Sequence, residues 1–452
     1  MTSEQLPEKI IVGLIGTGAF GRSILSQAQR SKHLTVRVVC DRDLVAAERA
    51  CKDAGLKDQS VVCDTTDEAE DALRSNKIAI VGDGRMVAEL PVSVAVECTG
   101  SPEAGATNAR ALIGAGKHVV MVSKETDVVV GPILGMLAAE RGVTYTLAQG
   151  DQPALLVDLI SWAEALGLPI SCAGKASEKE FIHPARNGNR LPSKTDDLRT
   201  LKAGNVASGL RNRHELLEGI PAPAYDLCEM AIVMNNTGYG YDTPTLHAPI
   251  ARMRELADVF CGQDHGGILK TEGVVDVFYC LRAQDDVSPA GGVFVVVRTG
   301  DQETWQMLQS KGHILNSTGS HAVLFRPYHL LGIETAQSVL AASRAVPSSR
   351  SMSSRPRVDL CGRTTTRYRR GQRIAMNRDH TVPGIAPEIH SANPSGGANP
   401  IPLYMAVGRT ATRNIPSGII LTFDMVDPDP RSSLWDLREL QDVRFFGPEA
   451  LQ

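Results

Sequence analysis

Val12-Gly-Leu-Ile-Gly16-Thr17-Gly18-Ala19-Phe20-Gly21-Arg22-Ser23 places three glycines in a G-x-G-x-x-G spacing. The motif directly follows a β-branched run, Ile10–Ile15, and opens a stretch whose apolar residues (Ile24, Leu25, Ala28) have helical spacing. That order dictates strand, tight turn and helix. Gly16 permits the turn, Gly18 lets backbone N–H groups approach a pyrophosphate, and Gly21 lets the helix lie close to the strand; Thr17, Ala19 and Phe20 complete the loop. The helix N-terminus adds partial positive charge. Asp41 follows Gly21 by twenty residues, at the end of a second β-branched run. A carboxylate there accepts hydrogen bonds from an adenosine ribose, which suits NAD. Arg42 beside it suits the 2′-phosphate of NADP, so NAD and NADP both stay open. The same residues nearly fit a nucleoside-triphosphate loop, G-x4-G-K-[ST], but Arg22 stands where the lysine is needed.

Short buried-strand runs recur at 36–40, 78–81, 92–98, 118–122 and 143–147, separated by stretches of helical spacing. Such alternation implies α/β architecture with an N-terminal Rossmann-type, doubly wound parallel sheet over residues 1–150. A helix is expected over 153–166, with Asp151 as its cap and Pro153 in its first turn. Residues 174–212 are rich in Lys, Arg and Asn, and read as a long polar loop. Helices over 225–235 and 249–260 and strands over 273–282, 292–298 and 322–325 give an α+β substrate domain spanning 151–342. Ten arginines between Arg344 and Arg378 face a single acid, Asp359, so 343–380 reads as a solvated Arg/Ser-rich linker. Strand-like pieces at 403–407 and 419–424, with turn signals at 394–397 and 415–418, make 381–452 a small β-rich module.

Composition narrows the function classes. The 452 residues are 42% hydrophobic and 22% charged, which is ordinary globular composition. Aromatics at 4% and a net charge of −4 argue against a nucleic-acid partner. No apolar run reaches the ~18–20 residues of a membrane helix, and no basic n-region precedes an apolar stretch, so no membrane partner is expected. Nine scattered cysteines with no C-x-x-C spacing point to a reducing, cytoplasmic location and to no structural metal. The expected partner is a small-molecule substrate, and the chain is expected to be a homo-oligomer.

Further candidate residues sit where strands end. Thr99 and Gly100, in Glu97-Cys-Thr-Gly-Ser-Pro, belong near the nicotinamide-side ribose, although Ser101 and Pro102 there also read as a plain helix start. Lys124 ends the run after Gly116 and would face a substrate carbonyl, where it could carry the proton that accompanies hydride transfer. Lys175, His183, Arg186 and Arg190 could hold a substrate anion, though a solvated loop explains the last three equally well. Glu229 lies in an otherwise apolar helix, so it must be paired, solvated or functional. Glu229 and Arg326 would orient substrate. His329 would be a general acid, against the commoner role of a satisfied structural histidine.

These residues resemble homoserine dehydrogenases in the glycine motif, in Glu97–Glu103 and in Gly116–Glu125. Gly150-Asp-Gln-Pro153, Ala173-Gly-Lys175, Glu229-Met-Ala231 with Asn235–Gly238, and Phe325–Leu330 resemble a narrower group. That group comprises homoserine-dehydrogenase-like oxidoreductases with a C-terminal SAF-type (antifreeze-like) domain, including 1-deoxy-D-xylulose 5-phosphate reductoisomerase-like enzymes. The likeness runs from about residue 10 to 342 and is weak beyond, where 415–424 and 437–441 look like the group's ending. The resemblance implies an NAD(P)-dependent dehydrogenase or reductase acting on a small polar carbonyl or hydroxy substrate. It makes Lys124 the lysine near the nicotinamide, and gives Lys175 and Glu229 counterparts in the narrower group. Two departures count against reductoisomerase activity and metal dependence: Asp151-Gln152-Pro153 replaces Asp-Glu-Pro, and Ser123-Lys124-Glu125 replaces Asn-Val-Glu. A neutral Gln binds a divalent cation less well than a carboxylate. A dinucleotide-binding sensor or scaffold without turnover is the reading from another class.

Overall fold

A computed structural model describes residues 9–183, 200–217, 224–344 and 354–447. Seven strands form the first sheet: β1 (Ile10–Ile15), β2 (Leu34–Cys40), β3 (Ser60–Val62), β4 (Ile78–Val81), β5 (Val94–Glu97), β6 (His118–Met121) and β7 (Tyr145–Leu147). Their order is β3-β4-β2-β1-β5-β6-β7, with every pairing parallel. Helices α1 (Ala19–Ala28), α2 (Leu44–Asp53), α3 (Thr66–Arg74), α4 (Gly84–Glu89), α5 (Pro102–Gly114) and α6 (Lys124–Glu140) connect them. Coverage on both faces explains the near-continuous Val/Ile runs of the central strands. Each expected strand is present; β3 was missed because three half-exposed residues give no periodic signal. β1 pairs with β2 on one side and β5 on the other. The strand order reverses there, so the ligand crevice lies beyond the carboxyl ends of β1 and β5.

The second sheet contains β8 (Ile170–His183), β9 (Ile250–Ala251), β10 (Val274–Ala283), β11 (Val293–Arg298), β12 (Ile314–Leu315) and β13 (His321–Arg326), ordered β12-β13-β11-β8-β10-β9. Around it lie α7 (Gln152–Ala165), α8 (Val206–His214), α9 (Ala224–Thr237), α10 (Leu256–Val259) and α11 (Gln302–Ser310). α9 packs against both α6 and α7, which places it between the two sheets. The expected polar loop at 174–212 is corrected. β8 runs to His183, and α8 starts at Val206. Lys175 and Lys179 misled because their polarity hid a central strand that is buried without a break from Ile170 to Ser177, Lys175 included. Arg186 and Arg190 lie outside the described residues. The expected helix over 249–260 is also corrected: only Leu256–Val259 is α-helical, after a two-residue strand and a 3-10 turn.

The chain then returns to the first sheet. α12 (Thr335–Ser343) buries Val339 and Ala342 in the core around β1, β2 and β5, and Ser338 Oγ accepts from Gln149 N at 2.8 Å. The solvated linker is corrected at β14 (Val358–Thr364), which pairs antiparallel with β15 (Ile385–Ser391). Two strand pieces expected near the end, at 403–407 and 419–424, are corrected, while β14 and β15 supply the small antiparallel sheet. Leu403–Ala406 is a helical turn, α13, with Pro402 at its N-cap position. Residues 419–424 make isolated bridges and a 3-10 turn. The last element is helix α14 (Ser433–Phe446), packed on α5 and α6. Gln441 ties it down, donating to Val129 O at 3.0 Å and accepting from Ile133 N at 3.2 Å.

Candidate active site

The glycine loop has the form its sequence requires. Gly16 has φ +101°, and a Cβ there would stand 2.6 Å from Cys98 O. A Cβ on Gly21 would meet Gly16 O at 2.1 Å, so α1 can lie this close to β1 only without one. Gly18 caps α1 and is exposed, with nothing within 4 Å of its Cβ position. The loop therefore leaves an open cradle at a helix N-terminus, as a dinucleotide pyrophosphate needs. Ala19 is exposed and Phe20 half-buried at the start of that helix, and Thr17 is buried. Asp41 Oδ2 accepts from Thr17 N at 2.9 Å and Thr17 Oγ1 at 2.7 Å. One carboxylate thus joins the glycine loop to the end of β2, with exposed Arg42 beside it. Beyond β5, Gly100 N donates to Ser123 Oγ at 2.9 Å, and Thr99 Oγ1 donates to buried Glu97 at 2.6 Å.

Ser123 also caps α6, whose first residue is Lys124. The crevice therefore runs directly into a cluster of buried charge. Lys124 Nζ lies 2.5 Å from Glu229 Oε1 and 3.5 Å from Asp151 Oδ1. Lys175 Nζ bonds the other oxygen of Glu229 and lies 2.7 Å from Asp226 Oδ1. Two periodicities build this. Lys175 and Ser177 share one face of β8, at a spacing of two; Asp226 and Glu229 share one face of α9, at a spacing of three. Ser177 Oγ completes the match by donating to Asp226 at 2.8 Å. Asp226 and Ser177 were missed by sequence reasoning, although a D-x-x-E pair in an apolar helix was a visible signal. Asp151 was expected only as a cap; it does cap α7, through Gln152 N, and also faces Lys124.

Exposure separates the two lysines. The Lys175 side chain is 0% exposed and that of Lys124 is 26% exposed, so only Lys124 can be reached from the crevice. Burial would neutralise each ammonium, but Asp151 and Glu229 hold Lys124 well above the usual lysine range. Glu229 and Asp226 hold Lys175 up in the same way. Burial pushes the Glu229 carboxyl up, yet the two lysines reverse this and leave it below the ordinary range. For Asp151 and Asp226 burial outweighs the lysines, and both carboxyls sit above it. The cluster thus favours the charged form of Lys124, its partly exposed N–H donor.

The remaining candidates divide. His329 Nδ1 lies 3.0 Å from Gly150 O, which places its ring beside the Gly150-Asp151-Gln152 turn. A Cβ on Gly291 would stand 2.5 Å from His329 Nε2 and 3.2 Å from Gln152 Nε2. Arg326 pairs with Glu334, whose Oε2 accepts from Leu330 N at 2.9 Å, so it braces the 326–334 turn. No group of three or more His, Cys, Asp or Glu suited to a metal occurs among the described residues.

Residues 13–148 match the family model described as homoserine dehydrogenase, NAD binding domain. Residues 150–335 match that described as oxidoreductase DRL, catalytic domain. None of the curated proteins matches the chain. Among solved structures, 1-deoxy-D-xylulose 5-phosphate reductoisomerase from Zymomonas mobilis in complex with NADPH is 15% identical over 50% of this chain and 58% of its own, with a TM-score of 0.31. GenD2 from gentamicin A biosynthesis in complex with NAD is 15% identical over 77% of this chain and 90% of its own, at 0.37. A probable dehydrogenase from Thermotoga maritima is 12% identical over 71% and 70%, at 0.30. The chain thus spans 58% of the length of the reductoisomerase it is compared with. Residues 13–148 are thus similar to an NAD-binding domain and residues 150–335 to an oxidoreductase catalytic domain.

Proposed function

We propose that the chain moves a hydride between a nicotinamide and the carbonyl or hydroxyl carbon of a small polar substrate, with Lys124 facing the substrate oxygen. The observation that carries this is the position of Lys124: the first residue of α6, one residue from the Ser123 that anchors Gly100, and the partly exposed member of the buried cluster. Bound in the Gly16–Gly21 cradle, the dinucleotide supplies or accepts the hydride. The chain's own residues do the rest. Glu229 and Asp151 keep Lys124 an ammonium, so its N–H donates to the developing alkoxide and gives it the proton that completes the hydroxyl, the lysine regaining a proton from water at its exposed edge; oxidation runs the same steps in reverse. Lys175 and Asp226 fix Glu229, and through it Lys124. Lys175 sits mid-strand, opposite Val277 and Val293, so it serves as a mount and not as part of a closing loop.

The exposed position of Gly18 supplies the test of the cradle. Gly18→Val meets no neighbour and should fold normally, yet projects a side chain into the pyrophosphate's path. NAD(P)H fluorescence titration should show no binding at concentrations that saturate the unsubstituted chain; unchanged affinity would overturn the placement.

The reductoisomerase alternative makes a different demand. Gln152 is 1% exposed and neutral, and Asp151 faces the Lys124 ammonium, so a divalent cation would compete with a fixed positive charge. Assay of 1-deoxy-D-xylulose 5-phosphate with NADPH and Mg²⁺ or Mn²⁺ should give no turnover; robust metal-dependent turnover would establish that alternative instead.

A reducing, cytoplasmic location fits nine free cysteines, most of them buried. No described helix is long and apolar enough to cross a membrane. A homo-oligomer is supported by the exposed side chains of Phe325, Tyr328, Leu330, Leu331 and Ile333. The SAF-type assignment of 381–452 rests on its sequence resemblance.

A further inference from the structure

The C-terminal segment reaches the crevice at one histidine. The turn after Met376 is closed by Asn377 N donating to Thr381 O at 2.8 Å and His380 N donating to Asn377 O at 3.1 Å. It places His380 at the carboxyl end of the first sheet, beside the turn after β5. There Nδ1 stands 2.6 Å from Glu125 Oε1, on the second residue of α6. The edge of the ring lies on Gly100: a Cβ at that glycine would be 3.1 Å from His380 Cε1 and 3.7 Å from Nε2. His380 is therefore packed against both groups that flank the nicotinamide end of the crevice, the Thr99-Gly100 turn and the start of α6.

The backbone makes the choice of residue informative. His380 has φ +60°, in the left-handed region that Asn, Asp and His enter more readily than other side chains. Gly would hold the same turn without a side chain, so the ring can be tested apart from the backbone. An imidazole whose Nδ1 stands 2.6 Å from the Glu125 carboxylate has its Nε2 left over as a hydrogen-bonding atom beside Gly100.

We propose that His380 is a cofactor-binding residue supplied by the C-terminal segment, which closes the nicotinamide-side ribose pocket and offers Nε2 to a ribose hydroxyl. This rests on the dinucleotide lying where the proposed function puts it. The charged groups that act on the ring are Glu125 and Lys124 from α6 and Asp379 from its own turn. The Glu125 carboxylate pushes the imidazole above its ordinary range, against the opposing effect of burial and of Lys124.

The test uses the full chain and NADH fluorescence titration, alongside thermal unfolding. His380→Gly removes the ring and relieves the positive φ, so its melting temperature should not fall, while the NADH dissociation constant should rise about ten-fold, the loss of one hydrogen bond to a charged group. His380→Asn tolerates the same backbone and keeps a donor and an acceptor, so it should recover part of that loss. A purely structural histidine would show neither the loss in the Gly variant nor the recovery in the Asn variant. Unchanged NADH affinity in His380→Gly, with the unsubstituted chain binding normally, overturns this inference alone. An unsubstituted chain that binds no dinucleotide overturns it together with the reading beneath it.

Discussion

Lys124→Met should lower kcat by about 10²–10³-fold, the usual effect of losing one preorganised donor to a developing oxyanion. NAD(P)H affinity should stay near that of the unsubstituted chain. The expectation follows from what the lysine touches. Its ammonium is held by Glu229 at 2.5 Å and Asp151 at 3.5 Å, and it contributes no side-chain contact to the glycine cradle. Methionine keeps the length of the side chain and removes charge and donors. The fold should survive, because Glu229 retains Lys175 and because Asp151, already inclined by burial toward its protonated form, needs less compensation when the cation leaves. kcat and KM then separate the roles: a drop confined to kcat marks an interaction made in the transition state. Once a substrate is found by screening, a Lys124→Met enzyme working within a few-fold of the original removes this lysine from the chemical step. His329, beside Gly150, becomes the next acid to test.

The cofactor half of this site was legible because it is local. Strand, glycines, helix and Asp41 are close in sequence; Gly21 is required by the Gly16 carbonyl within that unit, Gly16 is crowded by the more distant Cys98 carbonyl, and Gly18 stands open. The catalytic half was legible only in pieces. Lys124, Lys175 and Glu229 could be picked out singly, but their pairing depends on α9 lying between the two sheets, which no local pattern encodes. Lys175 shows how polarity misleads: amid Lys179 and Glu180 it looked like a loop residue, whereas it is a core lysine whose charge is matched by a helix fifty residues later. The C-terminal region was least legible. Its bridges are isolated, its strands are few, and its contribution to the crevice, His380, carries no motif.

The same region gives the largest expected effect on stability. Arg438→Met should destabilise the fold by about 3–5 kcal/mol, the range for removing one partner of a buried ion pair. Arg438 is fully buried on α14. Its guanidinium donates to both Asp359 oxygens on β14, at 2.6 and 2.8 Å, and to Asp442 at 2.9 Å. Asp359 is the single acid among the arginines that looked like a linker, and this pairing explains its presence. Methionine would fill the volume but leave two carboxylates uncompensated in the interior. Arg438→Lys should fall between, since an ammonium cannot reproduce the two-pronged contact. The pH dependence has a definite sign. Burial already holds the Asp442 carboxyl above its ordinary range, and losing the guanidinium must raise it further. A carboxyl with a raised folded-state pKa costs stability once pH exceeds its unfolded value, and the cost shrinks as pH falls. The gap between Arg438→Met and the original chain should therefore narrow from pH 7 toward pH 5, as read from urea midpoints followed by the fluorescence of Trp435 on the same helix. Equal midpoints at pH 7 would show that the network adds nothing to stability. Because β14 also begins the segment that carries His380, loosening α14 should weaken NADH binding in proportion to the lost stability, although Arg438 is far from the glycine loop in sequence and bonded to none of its residues.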